Sequence, residues 1–379
     1  MSHDSAHSDS HGHDDHGHGH SPFLAHHFDD PEQQYDSGKL GMWLFLVTEI
    51  LFFSGMFCAY ALYRSRNPEV FTFASQFLNS TLGAFNTGVL LFSSLTMAWG
   101  VRCAQLRQRK GLVICLAITL CCASIFLGVK AVEYTHKWDI GLLPAGFYLS
   151  QYAAPEHHAH WSPWLTKLCI VPGLFLIGFA GMLAANFMKG DQRKIEVSLS
   201  LVLTAASFFG GVAIGKAFEN AEAKAHAAAT HEVDGHVDHG AHESQSEESA
   251  GHGTAEPAVD SHAEPHSSEG SEGHASSQVA AGHLVSAEAK PETEPGQIPI
   301  EMIDQKGGAG LFFSIYYCMT GVHAIHILAG MGVLTWLLVR ASKDHFNEEY
   351  FGPVDYVGLY WHIVDLIWIY LFPLLYLIK

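Results

Sequence analysis

The stretch Gly41-Met42-Trp43-Leu44-Phe45-Leu46-Val47-Thr48-Glu49-Ile50-Leu51-Phe52-Phe53 sets a single carboxylate in an otherwise uncharged, mostly apolar run. As a helix rising about 1.5 Å per residue, it places Glu49 about 12 Å beyond Gly41. A bilayer core is about 30 Å thick and takes about 20 helical residues to cross. Glu49 therefore falls near the midplane of a span over residues 40–63. Six more runs have the same character: 78–101, 111–134, 168–188, 197–217, 310–339 and 351–378. Those at 78–101 and 168–188 contain no Asp, Glu, Lys or Arg. The run at 197–217 is the weakest, interrupted by Gly210-Gly211 and closed by Lys216. In lipid every backbone polar group must be paired within the segment, so these runs are read as helices. The expected fold is an all-α integral membrane helical bundle of about seven transmembrane helices.

Composition agrees. Hydrophobic residues make up 48% of the 379 residues and charged residues only 15%, against about 25% in soluble domains. The charge is also segregated. Residues 1–38 hold eight Asp/Glu and no Lys/Arg, and residues 219–306 hold 18 Asp/Glu and three Lys/Arg. The net charge is −18, so the remaining residues carry +5. An ordinary soluble enzyme is excluded. Nucleic acid is not an expected partner, since phosphate contacts need clustered Lys and Arg. The seven cysteines form no C-x-x-C pair and lie in or beside apolar runs, where Cys behaves as a small hydrophobe.

The two acidic segments read as disordered, because they are too polar to bury a core that offsets chain entropy. Both are rich in histidine: His11, His13, His16, His18 and His20 in the first, His236, His239 and His242 among those in the second. Loose binding of copper, nickel or zinc is one reading of these tracts. A solvated low-complexity spacer is the other, favoured by their irregular spacing.

Basic residues set the orientation. Arg102, Arg107, Arg109 and Lys110 follow the second span; Lys189, Arg193 and Lys194 follow the fourth; Arg340 and Lys343 follow the sixth. With seven spans all three groups fall on one side, which the positive-inside rule makes cytoplasmic. The N-terminus is then cytoplasmic, and the His-rich insert and the C-terminus are extracytoplasmic.

Ionisable residues inside spans are costly and mark functional sites. Glu49 is one. His362 and Asp365 in Trp361-His362-Ile363-Val364-Asp365-Leu366-Ile367-Trp368 share a helix face. They sit at about the depth of Glu49 and could meet it between helices, as a proton-linked or lipid-contacting cluster or as a packing device. His323 and His326 also share a face and could ligate a cofactor or bond to neighbouring helices. Lys130 and Glu133 close the third span near the outer surface, where a lipid-headgroup contact or a rim ion pair is expected.

These residues together resemble the haem–copper oxidase subunit III family (cytochrome c oxidase subunit III). The similar motifs are Gly41 to Leu46 with Glu49 and Phe52-Phe53; Phe126 to Lys130 with Glu133-Tyr134; Thr320 to His323 with His326 and Gly330; and Trp361-His362 with Asp365 and Trp368. The resemblance is to the short five-helix form of the family. It implies five family helices plus an inserted pair. The expected organisation is a disordered His-rich tail (1–38), the first three core helices (39–154), the inserted pair (155–218), a disordered His-rich insert (219–307) and the last two core helices (308–379).

The resemblance also implies an accessory role in a terminal oxidase. The haem and copper belong to partner subunits, and no cofactor is bound by this chain. Its partners are oxidase subunits I and II and bound phospholipid. Its role is to support assembly and proton uptake in the bacterial cytoplasmic membrane. Glu49, His323, His326, His362 and Asp365 match the family's polar positions. The equivalent subunit of a quinol oxidase or nitric oxide reductase is an alternative, since other subunits choose the electron donor. A metal transporter with His-rich buffering segments is a third reading.

Overall fold

The computed structural model describes residues 28–145, 162–237, 309–347 and 350–378. The chain divides into two units, Met1–Lys224 with Ile298–Lys379, and Ala225–Gln297. The described residues form α-helices and connecting turns, with no strand among them. The helices are α1 (Pro31–Arg66), α2 (Pro68–Ser75), α3 (Ser80–Gln105), α4 (Arg109–Asp139), α5 (Pro163–Lys189), α6 (Gln192–Val237), α7 (Gly310–Ser342) and α8 (Gly352–Tyr376). All except α2 contain a segment long and apolar enough to cross a membrane. The seven-span reading of the sequence holds, including its weakest member.

The helix starts are local. Asp30 caps α1 by accepting from the Gln33 N–H at 2.8 Å, and Pro31 follows at the first helical position, where its fixed φ suits the helix and its missing N–H costs nothing. Asn79 caps α3 in the same way, accepting from Leu82 N–H at 2.9 Å. Between these two spans the short helix α2 fills most of the connection.

Two boundaries are corrected. Residues 31–38 were expected to be disordered but form the first turns of α1. They are held by tertiary contacts: Tyr35 donates to Asp355 at 2.7 Å, and Tyr356 at the start of α8 donates to the Tyr35 carbonyl at 2.8 Å. The acidic composition concealed the Asp30-Pro31 start signal. Likewise α6 continues to Val237, into the segment expected to be disordered from 219. Residues 221–229 are Ala-rich, and Ala is the strongest helix former. The remaining parts of both His-rich segments, 1–27 and 238–307, lie outside the described residues.

In the first unit, α4 packs against α3, α5 and α7, and α8 closes the group by packing on α3, α7 and α1. Phe126, Tyr316, Trp361 and Trp368 are fully buried among these helices. The inserted α6 also docks on α4. A side chain at Gly128 would collide with the Phe208 carbonyl oxygen, and one at Gly211 with the Ile125 carbonyl oxygen. Without a hydrophobic effect between helices in lipid, such close backbone approach is what makes dispersion contacts add up. Gly210-Gly211, which looked like an interruption, is part of the contact. One end of the docked pair is pinned by Arg109, which donates to Glu196 at 2.8 and 3.2 Å and to the Ser342 carbonyl at 3.1 Å. That single guanidinium ties the starts of α4 and α6 to the end of α7, so the three basic turns share one end of the bundle.

Candidate functional site: three polar networks within the spans

The first network joins α1 to α7. Glu49 Oε2 lies 2.9 Å from His326 Nε2. His326 Nδ1 lies 2.8 Å from the carbonyl oxygen of Val322, one turn earlier. A carbonyl can only accept, so Nδ1 carries a hydrogen. The Nε2–Oε2 contact needs a second hydrogen, on the imidazole or on the carboxyl. In either arrangement the pair is electrically neutral overall. That is how two ionisable groups are tolerated at this depth. Both side chains remain 20% exposed on the chain's own surface. Phe53 packs edge-on to the imidazole at 5.2 Å, and Tyr360 donates to the His326 carbonyl at 2.9 Å.

Glu49 therefore does not meet His362 and Asp365, as the matched depths had suggested. Depth fixes height along the bundle, but the azimuth of each helix decides which groups face. The second network instead joins α8 to α3. Ser94 donates to Asp365 Oδ2 at 2.6 Å, and His362 Nδ1 contacts the same hydroxyl at 3.1 Å. Trp361 donates to Ser93 at 2.9 Å and Trp368 to Thr87 at 3.1 Å. The hydroxyls of α3 that do this work had no signal of their own in an apolar run.

The third network lies toward the far end of α4, where Lys130 and Glu133 form the expected ion pair but are enclosed in the bundle and not exposed at a rim. Both are buried, together with Lys137. Glu133 Oε2 accepts from Lys130 at 2.8 Å, and Oε1 accepts from Lys137 at 2.8 Å, Tyr316 at 2.7 Å and Tyr376 at 2.6 Å. Lys130 also donates to the Tyr376 hydroxyl at 2.7 Å and the Tyr316 hydroxyl at 3.2 Å. Its ammonium has three acceptors for three hydrogens and cannot snorkel. Two tyrosines contributed by α7 and α8 close over the site, which the sequence of α4 alone cannot reveal. Lys137 was missed, although its place four residues after Glu133 puts it on the same face.

His323 and His326 part company. His323 is buried, stacked on Trp368 with centroids 5.4 Å apart and edge-on to Phe126 at 5.6 Å. Among the described residues no group of three or more His, Cys, Asp or Glu side chains is arranged to hold a metal ion. His11, His13, His16, His18, His20, His239 and His242 lie outside the described residues, and His236 falls on the last turn of α6. A groove of about 580 Å³ opens beside the end of α1, lined by Phe57, Tyr60, Arg64, Pro68 and Leu374 among others. Tyr60 donates to the Leu374 carbonyl, and Arg64 stands at 3.5 Å from the Tyr60 hydroxyl.

The sequence profile of cytochrome c oxidase subunit III matches residues 25–151 and 306–379, more than half of the chain. The chain belongs to that family. The matched segments carry every member of the three networks, whereas the inserted pair α5–α6 lies outside them. Individual relatives align over shorter stretches. A haem–copper oxidase subunit I+III of Aeropyrum pernix is 38% identical over 71 residues, 18% of this chain and 9% of that protein. Cytochrome c oxidase subunit 3 of Thermostichus vulcanus is 36% identical over 69 residues, 18% of this chain and 34% of that protein. The ostrich (Struthio camelus) subunit 3 is 34% identical over 67 residues, 18% of this chain and 26% of that protein. The alignments thus span about a third or less of these relatives. The chain is thus a subunit III family member with seven helices long and apolar enough to cross a membrane.

Proposed function

We propose that this chain is the accessory, non-redox subunit of a terminal haem–copper respiratory oxidase. It holds its partners and lipid in place and supports proton uptake, while haem and copper reside in subunits I and II. The carrying observation is the Glu49–His326 pair, a neutral proton-sharing couple placed by two family motifs on different helices. The lipid role is supported by the apolar groove with Arg64 and Tyr60 at one end of the bundle, where a cation can meet a phosphate headgroup. The orientation rests on Arg109, Arg102, Lys189 and Arg340 collecting at the opposite end, which the positive-inside rule makes cytoplasmic. The membrane is then the bacterial cytoplasmic membrane, with the N-terminus inside.

Purification in mild detergent tests this. The chain should elute with haem-bearing partners at constant stoichiometry, and the chain separated from them should show no haem absorption. Stoichiometric haem on the separated chain, or elution without any oxidase subunit, would overturn the reading.

A further inference from the structure

Three buried side chains in the bundle keep polar atoms that no described residue satisfies: both amide atoms of Asn86, both ring nitrogens of His323, and Asp365 Oδ1. Asn86 and His323 are completely buried and Asp365 is 2% exposed. Native interiors leave few such atoms, and those that have no protein partner are met by ordered water. A neutral imidazole needs an acceptor at one nitrogen and a donor at the other. Water can be either.

Asp365 and His323 each touch a member of the polar networks, and Asn86 precedes one in sequence. Asp365 Oδ2 is held by Ser94, leaving Oδ1 free to bond onward. One turn along α8, Trp368 is stacked by His323 and has Lys130 Nζ 5.0 Å from its ring centre. Asn86 adjoins Thr87, the acceptor for the Trp368 indole N–H. On α7, His323 is one turn from Thr320, whose hydroxyl lies 2.6 Å from that of Tyr134, and two turns from Tyr316, which donates to Glu133. Asp365 and Tyr376 are eleven residues apart on α8, about 16 Å of helix rise.

We infer that ordered water is bound at His323, at Asp365 Oδ1 and at Asn86. The ligand is water, which can donate to one ring nitrogen of His323 and accept from the other. The inference concerns this chain's interior and does not depend on which oxidase it serves.

Two measurements on the full chain in its native complex decide it. A cryo-EM map that resolves ordered water in the complex should show density within hydrogen-bond distance of a His323 nitrogen and of Asp365 Oδ1. Separately, His323→Phe and Asn86→Leu remove the orphans. If the atoms are hydrated, these variants lose bonds, and the temperature at which the subunit dissociates should fall by about 2–6 °C. If the atoms are dry and unsatisfied, removing them should raise that temperature. Absence of density at these atoms in such a map would overturn the inference. So would a raised dissociation temperature in both variants. A variant that does not assemble leaves the decision to the map of the unaltered protein.

Discussion

Glu49 and His326 share one hydrogen between Oε2 and Nε2 across the α1–α7 seam, because the other imidazole nitrogen is committed to the Val322 carbonyl. The pair is neutral as a unit, and this sets what substitution should do. In Glu49→Gln a neutral amide N–H can donate to a neutral Nε2, so the contact survives. We expect this variant to assemble and to keep initial oxygen uptake within about twofold, since the amide keeps a hydrogen bond to Nε2 and the pair stays neutral overall. Glu49→Ala leaves Nε2 without its partner and should lower subunit retention further. Oxygen uptake over repeated turnovers, with subunit content followed by gel, reads both. Abolished initial uptake in a fully assembled Glu49→Gln complex would place Glu49 in an obligatory proton path instead.

Glu133 is the anchor of two buried ammonium groups and two phenols. Glu133→Gln removes the only carboxylate they contact among the described residues, leaving both lysines uncompensated. Breaking a buried pair in this way costs roughly 3–5 kcal/mol. The expected result is a large fall in assembled complex. Lys137→Met should be tolerated much better, because Glu133 keeps Lys130, Tyr316 and Tyr376 and the cluster loses an excess positive charge. Equal losses in the two variants would contradict this ranking. Yield of the complex and its dissociation temperature are the measurements.

Docking of α6 rests on close backbone approach more than on charge. Gly211→Val forces a side chain against the Ile125 carbonyl and should detach α6 from α4. Arg109→Ala removes a partly exposed ion pair, worth about 1 kcal/mol or less, and should have a smaller effect. Cysteine cross-linking between α4 and α6 in the complex would distinguish them. Efficient cross-linking in Gly211→Val would show that the contact is not glycine-dependent.

The groove at the end of α1 has a single guanidinium beside the Tyr60 hydroxyl. Arg64→Ala should weaken phospholipid binding there roughly fivefold, the effect of about 1 kcal/mol per basic residue at a headgroup. Native mass spectrometry of the complex should show one fewer retained anionic lipid. Unchanged lipid counts would remove Arg64 from any headgroup contact.

Removing residues 240–295 should leave assembly intact at ample copper, since their composition cannot supply a packed core. Blue-native gels of cells expressing the shortened chain test this. Loss of the complex would assign the segment a structural role.

Much of this protein is fixed by one-dimensional chemistry. A run of about 20 apolar residues must become a helix in lipid, whatever its neighbours, because its backbone has no other partner. Seven spans, the three basic turns and the rarity of intramembrane charge follow from that, and so does the choice of Glu49, Lys130, Glu133, His323, His326, His362 and Asp365 as notable. Pairing among them does not follow. Glu49 and His362 have matching depth, yet Glu49 binds His326 and His362 binds Ser94, because helix rotation and neighbour order decide which faces meet. Lys130 reads as a snorkelling rim residue until Tyr316 and Tyr376 arrive from α7 and α8 and enclose it. Gly210-Gly211 reads as a weakness until α4 comes close enough to use Gly211. Depth, charge and helicity are properties of a segment, whereas partnership is a property of two segments, and only packing in three dimensions supplies it.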